Sequence, residues 1–290
     1  SSAFDLAERM FMKELIKWKG ISFGYQEEKK VLKDVDLSIQ KGEKIVVIGS
    51  NGAGKSTLFL LLNGILKPES GSYAYKGREI HYTKQEMRML RKEIGIVFQE
   101  PDQQIVSQTV FHEVAFGLMN LGYSKEEVKQ RVLAMLEKLN IQDLKDCPPH
   151  YLSGGQKKSV TIADILVMEP EVLLFDEPTA SLDPLNQENV ERILGQIANE
   201  GKTIVVSTHD MEFASRFADR ILVVGEGTII GNGTPMEIFS DKNLLSRAFV
   251  KPPVLYEIMK VLKEKKILPN DLELTDSEKL RQFLHLFKLG

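Results

Sequence analysis

The run Gly49-Ser50-Asn51-Gly52-Ala53-Gly54-Lys55-Ser56-Thr57 decides how the rest of the chain is read. It fits G-x-x-x-x-G-K-[ST], the phosphate-binding loop. Lys44-Ile45-Val46-Val47-Ile48 precedes it, a short β-branched run bounded by glycines, which predicts a buried parallel strand. Leu58 to Asn63 follows and predicts a helix. Strand, glycine-rich loop and helix are the context in which the motif has a mechanical sense. The glycines let the backbone curl until successive N–H groups face one anion, and the helix N-terminus adds its partial positive charge. Lys55 is expected to reach the β- and γ-phosphates, and Ser56 to place its hydroxyl on Mg2+. Four specified positions match by chance in roughly one chain in a hundred of this length.

Working outward, 290 residues leave room for one large domain and a small one. A hydrophobic fraction of 42% and a charged fraction of 27% are ordinary for a soluble globular chain. A net charge of -3 gives no reason to expect nucleic acid as a partner. No apolar run approaches the length of a membrane span. Asp5 and Glu8 stand where a signal peptide would be basic and then apolar. The single Cys147 excludes an internal disulfide and fits a reducing compartment. These features predict a cytoplasmic protein whose membrane role, if any, runs through a partner.

Residues 1–12 read as an N-terminal extension with apolar positions at roughly helical spacing, and Met12 is one candidate for the natural start. Leu15–Tyr25 and Val31–Ile39 alternate as strands and predict an antiparallel lead-in. Ile94–Phe98 is a buried strand that stops at Gln99, since Pro101 lacks a donor. Val110 to Asn140 is helical, broken at Gly122, with a capping box at Ser124 and Glu127. A further helix is expected from Lys157 to about Met168. Glu171–Glu177, Thr203–His209 and Arg220–Val224 read as strands with helices between them, including 189–198. Strands alternating with helices indicate a mostly parallel sheet covered on both faces. After Gly233 the chain turns helical, opening at Thr234-Pro235, at Pro252-Pro253 and at Thr275. The reading is therefore an α/β domain over 13–233, with a helical subdomain at about 100–168, and a C-terminal helical domain over 234–290. That tail is too small for its own core and is expected to dock on the main domain or on another subunit, as a stabiliser of a dimer or a lid over its own domain.

Ligands of a parallel α/β sheet bind beyond the carboxyl ends of its strands. Gly49, Gln99, Asp176-Glu177 and His209 all fall at such ends. Charge suggests the roles: Asp176 near Mg2+, Glu177 as base for an attacking water, His209 as donor to the γ-phosphate, Gln99 between metal and water. Leu152-Ser153-Gly154-Gly155-Gln156 offers a second anion site at a helix start, or simply a serine N-cap. Tyr25, upstream of the loop, could stack on a purine.

Taken together, these stretches resemble the nucleotide-binding subunit of an ATP-binding-cassette (ABC) transporter. Gly49–Thr57 matches its Walker A motif, Gln99 its Q-loop, and Leu152–Gln156 its signature. Val172–Glu177 matches Walker B with the catalytic glutamate, Ser181-Leu182-Asp183 the D-loop, His209 the switch histidine and Tyr25 the adenine-stacking aromatic. Within that superfamily, Phe98–Gln104, Thr109–Gly117 and the tail after Lys251 are similar to the ATPases of energy-coupling factor (ECF) transporters, which import vitamins or transition-metal ions. The resemblance implies ATP and Mg2+ as cofactors, with Ser56, Gln99 and Asp176 on the metal. It implies a head-to-tail dimer with a second ABC ATPase, identical or different, in which Ser153, Gly154, Gly155, Gln156 and Asp183 serve the neighbour's nucleotide. It also implies a membrane-embedded coupling protein on the Gln99–Gly117 region, a substrate-binding membrane subunit, and a peripheral place on the cytoplasmic face of the cell membrane. Lys158-Ser159 and Asp164 depart from the family's usual residues. Two other readings are a conventional ABC importer ATPase and a soluble ABC machine for chromosome maintenance or translation.

Overall fold

The structure, a computed structural model, describes residues 14–26, 29–269 and 277–286. The N-terminal extension and the Thr275 helix start lie outside the described residues. Two sheets organise the chain. One has four antiparallel strands in the order β2-β1-β4-β5: β1 (Glu14–Gln26), β2 (Lys29–Gln40), β4 (Ser70–Tyr75) and β5 (Arg78–Glu79). The other has six strands in the order β10-β9-β3-β8-β7-β6. These are β3 (Lys44–Ile48), β6 (Ile94–Val97), β7 (Val172–Asp176), β8 (Thr203–Ser207), β9 (Arg220–Gly225) and β10 (Thr228–Gly233). Five of them run parallel, and β10 pairs antiparallel to β9 at the edge.

The six-stranded sheet divides its residues by parity, as the two-residue period of a strand requires. Val46, Ile48, Leu173, Phe175, Ile204, Val206, Ile221 and Val223 face one apolar layer. Ile45, Val47, Val172, Leu174, Val205, Leu222 and Val224 face the other. The second layer is closed by α1 (Lys55–Leu62), α2 (Lys84–Glu93) and the antiparallel sheet, through Leu58, Phe59, Leu62, Leu90, Trp18 and Tyr73. The first is closed by α3 (Val110–Asn120), α4 (Lys125–Lys138), α5 (Gly154–Leu166) and α6 (Pro184–Asn199), with α7 (Met211–Phe217) beside them. A strand buried on both faces has no polar side to show, which is why these runs read as continuously apolar.

The tail joins that same layer. It folds as α8 (Pro235–Ser240), α9 (Lys242–Ala248), α10 (Val254–Glu264) and α11 (Ser277–Leu286). Ile238, Phe239, Leu245, Leu255, Tyr256 and Met259 are buried in the cluster that contains Phe175 and Val206. The apolar residues of α10 divide between two faces. Leu255 and Met259 are buried, whereas Ile258 is exposed together with Val254 and Val261.

Several boundaries differ from the sequence expectation. α5 begins at Gly154, three residues early, because Ser153 and Gln156 form a capping box. α6 begins at Pro184 rather than Asn189, because Asp183 caps it and proline suits its first turn. The strand β10 was not anticipated. Its turn is Glu226-Gly227 with both φ positive, the backbone of a tight hairpin. The Gly227 carbonyl accepts from Lys33 N at 2.7 Å and so joins the hairpin to β2.

Candidate nucleotide site

Register places the polar strand ends side by side. β3 lies between β8 and β9, and β7 pairs with β8 so that Asp176 stands opposite Ser207. Parallel strands end at one edge of the sheet, so the loop after β3, the carboxylates after β7 and the histidine after β8 share that edge.

The phosphate loop packs tightly against the end of β9. Gly49 adopts φ +152, and a Cβ there would lie 2.2 Å from the Val224 carbonyl oxygen, so no other residue fits. Gly54 is left-handed at the start of α1, whose first N–H groups open into the loop. Lys55 is buried, and its ammonium donates to the Gly49 and Ser50 carbonyls at 2.9 and 3.2 Å. Burial pulls its pKa below the ordinary lysine value, against the opposing pull of Glu177 and Asp176. Asn51, Gly52 and Ser56 are exposed at the mouth of the loop, and Ala53 is half-buried.

Glu177 is buried at the strand end with φ +45, a conformation that costs a non-glycine residue energy and collects at functional positions. Its main-chain N–H is held by Ser207, through the carbonyl at 3.1 Å and the hydroxyl at 3.0 Å. That hydroxyl donates in turn to Asp176 Oδ1 at 2.6 Å. Ser207 thus orients the Asp176 carboxylate and pins the Glu177 main chain, a role that no local pattern announces, since it depends on β8 lying beside β7. Glu177 Oε2 accepts from the His209 main-chain N–H at 3.2 Å. Oε1 lies 3.1 Å from His209 Nε2 and 4.0 Å from Lys55 Nζ, yet it is buried without a well-directed hydrogen bond. Burial raises the pKa of Glu177, opposed by His209 and Lys55 and reinforced by Asp176. A buried carboxylate oxygen with a lone pair to spare and a raised pKa has the properties of a general base.

Tyr25 stands exposed on β1, edge-on to Phe23 at 5.1 Å, with its hydroxyl 3.2 Å from Thr57 Oγ1 in α1. An aromatic face held beside the phosphate loop in this way can take a base. Gln99 is exposed at the end of β6, and its carbonyl accepts from Lys158 at 2.6 Å.

Ser153 and Gln156 direct their polar atoms at each other, Ser153 N to Gln156 Oε1 at 2.9 Å and Gln156 N to Ser153 Oγ at 3.3 Å. Ser153 and Gly154 are exposed, whereas Gly155 is buried. A Cβ on Gly155 would lie 2.0 Å from Asn186 Oδ1. Asn186 is held by both oxygens of Asp183, at 3.0 and 2.6 Å, which keep the Asp183 carboxyl below its usual pKa. Asp183 and the signature glycine are therefore packed together through Asn186, a residue that the motif pattern does not single out.

A family model described as "ABC transporter" matches residues 32–180. The chain is 46% identical over 254 residues to the energy-coupling factor transporter ATP-binding protein EcfA2 of Methanospirillum hungatei, covering 88% of this chain and 64% of that longer protein. It is 43% identical over 272 residues to EcfA of Methanothermobacter thermautotrophicus, covering 94% of this chain and 87% of that one. The structure of cbiO1 from Clostridium perfringens, part of the ABC transporter complex cbiONQ, superposes with a TM-score of 0.73 at 39% identity, over 86% of this chain and 99% of that chain. The loop, the strand-end carboxylates and the histidine occupy one sheet edge in a fold shared with these proteins, and the chain belongs to the ABC transporter family as an ATP-binding subunit.

Proposed function

We propose that the chain binds and hydrolyses ATP to power an ECF-type membrane importer of vitamins or transition-metal ions. The observation that carries this reading is the convergence of Lys55, Glu177 and His209 within 3.1–4.0 Å of one another at the carboxyl edge of the sheet. The names of the curated relatives support the transporter class.

Lys55 holds the β- and γ-phosphates together with the loop N–H groups. Glu177 orients and deprotonates the attacking water, and His209 donates to the γ-phosphate. Ser56, Gln99 and Asp176 fit a magnesium ion. Among the described residues no cluster of three or more His, Cys, Asp or Glu could hold a metal. One carboxylate with a hydroxyl and an amide suits an ion that keeps its waters and binds mainly substrate phosphates. When bound, the ion neutralises charge on the β- and γ-oxygens. Tyr25 stacks on the adenine.

Ser153, Gly154, Gly155, Gln156 and Asp183 complete the site of a second ATPase subunit in a head-to-tail dimer. Ser153 and Gly154 are exposed at the start of α5, as a contact across subunits requires. Val106 and Phe116, exposed apolar residues within 99–117, support this region as the seat of a membrane-embedded coupling protein, with a substrate-binding membrane subunit beyond it. No helix among the described residues is long and apolar enough to cross a membrane, which suits a peripheral subunit on the cytoplasmic face. The test is purification from detergent-solubilised native membranes with identification of every co-purifying chain. A coupling protein and a small substrate-binding membrane subunit are expected. A soluble binding protein with two permease chains would instead indicate a conventional importer, and no membrane chain at all would overturn the reading.

A further inference from the structure

The segment after β6 is pinned to α5 by three side chains. Lys158, 1% exposed, donates to the carbonyls of Phe98 at 2.9 Å and Gln99 at 2.6 Å. Gln104 accepts from Phe98 N at 3.3 Å and donates to Thr161 O at 3.2 Å and Asp164 Oδ2 at 3.1 Å. Lys157 pairs with Asp102 at 2.7 Å. The last pair has one exposed partner and contributes little. The first two are buried or half-buried and do not compete with water in the same way.

Burying an ammonium is costly unless its partners are well placed. Lys158 places its charge on two main-chain carbonyls, and their positions have a geometric meaning. The Phe98 carbonyl belongs to the peptide plane before the Gln99 Cα, and the Gln99 carbonyl to the plane after it. A peptide unit is rigid, so only the φ and ψ of Gln99 lie between the two held planes. Fixing both planes fixes the direction of the Gln99 Cβ. The anchor of these bonds is α5, which opens at Ser153.

We propose that Lys158 is the positioning residue for Gln99: by holding the peptide planes on either side of it, Lys158 aims the Gln99 side chain at the nucleotide site. This rests on the reading of Gln99 as a site residue.

The experiment is a double-mutant cycle on the full chain with Lys158→Met, which keeps the stem and removes the donors, and Gln99→Ala. Readouts are turnover, the gain in ATP affinity produced by Mg2+ in equilibrium binding, and the melting temperature. Lys158→Met is expected to lower turnover and the Mg2+-dependent gain by about tenfold, the scale on which residues behind a ligand act. ATP affinity without Mg2+ stays unchanged. In the Gln99→Ala background the same substitution is expected to cause no further loss. If Gln99→Ala alone changes neither turnover nor the Mg2+ effect, the reading of Gln99 fails and the proposal with it. If Gln99→Ala does act but the two losses multiply, Lys158 works elsewhere and only the proposal is overturned. Should Lys158→Met melt well below the native chain, Lys158→Gln, which keeps one donor group, carries the same cycle.

Discussion

The imidazole Nε2 of His209 stands 3.1 Å from Glu177 Oε1, bridging the carboxyl ends of β8 and β7. The same nitrogen lies 3.3 Å from Lys55 Nζ. A neutral ring nitrogen either accepts from the ammonium or donates to the carboxylate, and cannot do both at once. The ring therefore serves one of these two neighbours at a time, and a triphosphate seated on Lys55 is placed to come between them.

Glu177→Gln keeps the size of the side chain and removes its basicity. ATP binding is expected to stay within about twofold, while turnover falls by about 100- to 10,000-fold, the usual scale of a positioned base. Steady-state hydrolysis and equilibrium ATP binding measure the two separately. Turnover at the native rate would show that another group takes the proton.

Lys55→Ala removes the ammonium that faces the loop carbonyls. Charge-assisted hydrogen bonds contribute about 1.5–3 kcal/mol each, so ATP affinity should drop by at least about tenfold. Direct titration with ATP checks this, and an unchanged dissociation constant would remove Lys55 from the phosphate site.

Tyr25 offers both a ring and a hydroxyl. If the ring stacks on the base, Tyr25→Ala weakens ATP binding by about 1–3 kcal/mol, while Tyr25→Phe, which loses only the 3.2 Å contact with Thr57, binds nearly as the native chain does. Equal losses in both variants would assign the effect to the hydroxyl.

Asp164 is held up to about 7, chiefly by burial, with Glu113 adding to the rise and the hydrogen bond from Gln104 opposing it. Between about pH 4 and pH 7 the folded chain keeps a proton that the unfolded chain releases, so stability falls as pH rises through that window. Asp164→Asn removes this pH dependence. The variant is expected to melt higher than the native chain at pH 8, by on the order of 2 kcal/mol in stability, and to match it near pH 4. A lower melting point at pH 8 would mean that the carboxylate is stabilising as a charge.

The helix α10 has two faces with different expected roles. Met259 is 2% exposed in the main core, and Met259→Ala should cost about 2–5 kcal/mol of stability. Ile258, with Val254 and Val261, faces out, and Ile258→Glu should leave the melting temperature of the isolated chain nearly unchanged. If the tail stabilises the dimer through this face, the variant shifts the mass measured by light scattering toward monomer. An unchanged dimer mass would place the interface elsewhere.

The sequence alone determined whatever is local. The phosphate loop between its strand and helix, the buried strands, the capping boxes at Ser124 and Thr234, and the polar residues at strand ends all follow from spacing over a few residues. Only the tertiary structure decided which of these meet. His209 and Lys55 are 154 positions apart, and they touch because β8 hydrogen-bonds to β3. Ser207 reaches the Asp176 carboxylate and the Glu177 main-chain N–H because β8 also borders β7. Lys158 is buried against Gln99 because α5 packs under the end of β6. Strand order and helix docking are set by long-range burial and ladder pairing, and periodicity says which face of an element is apolar, not which neighbour covers it.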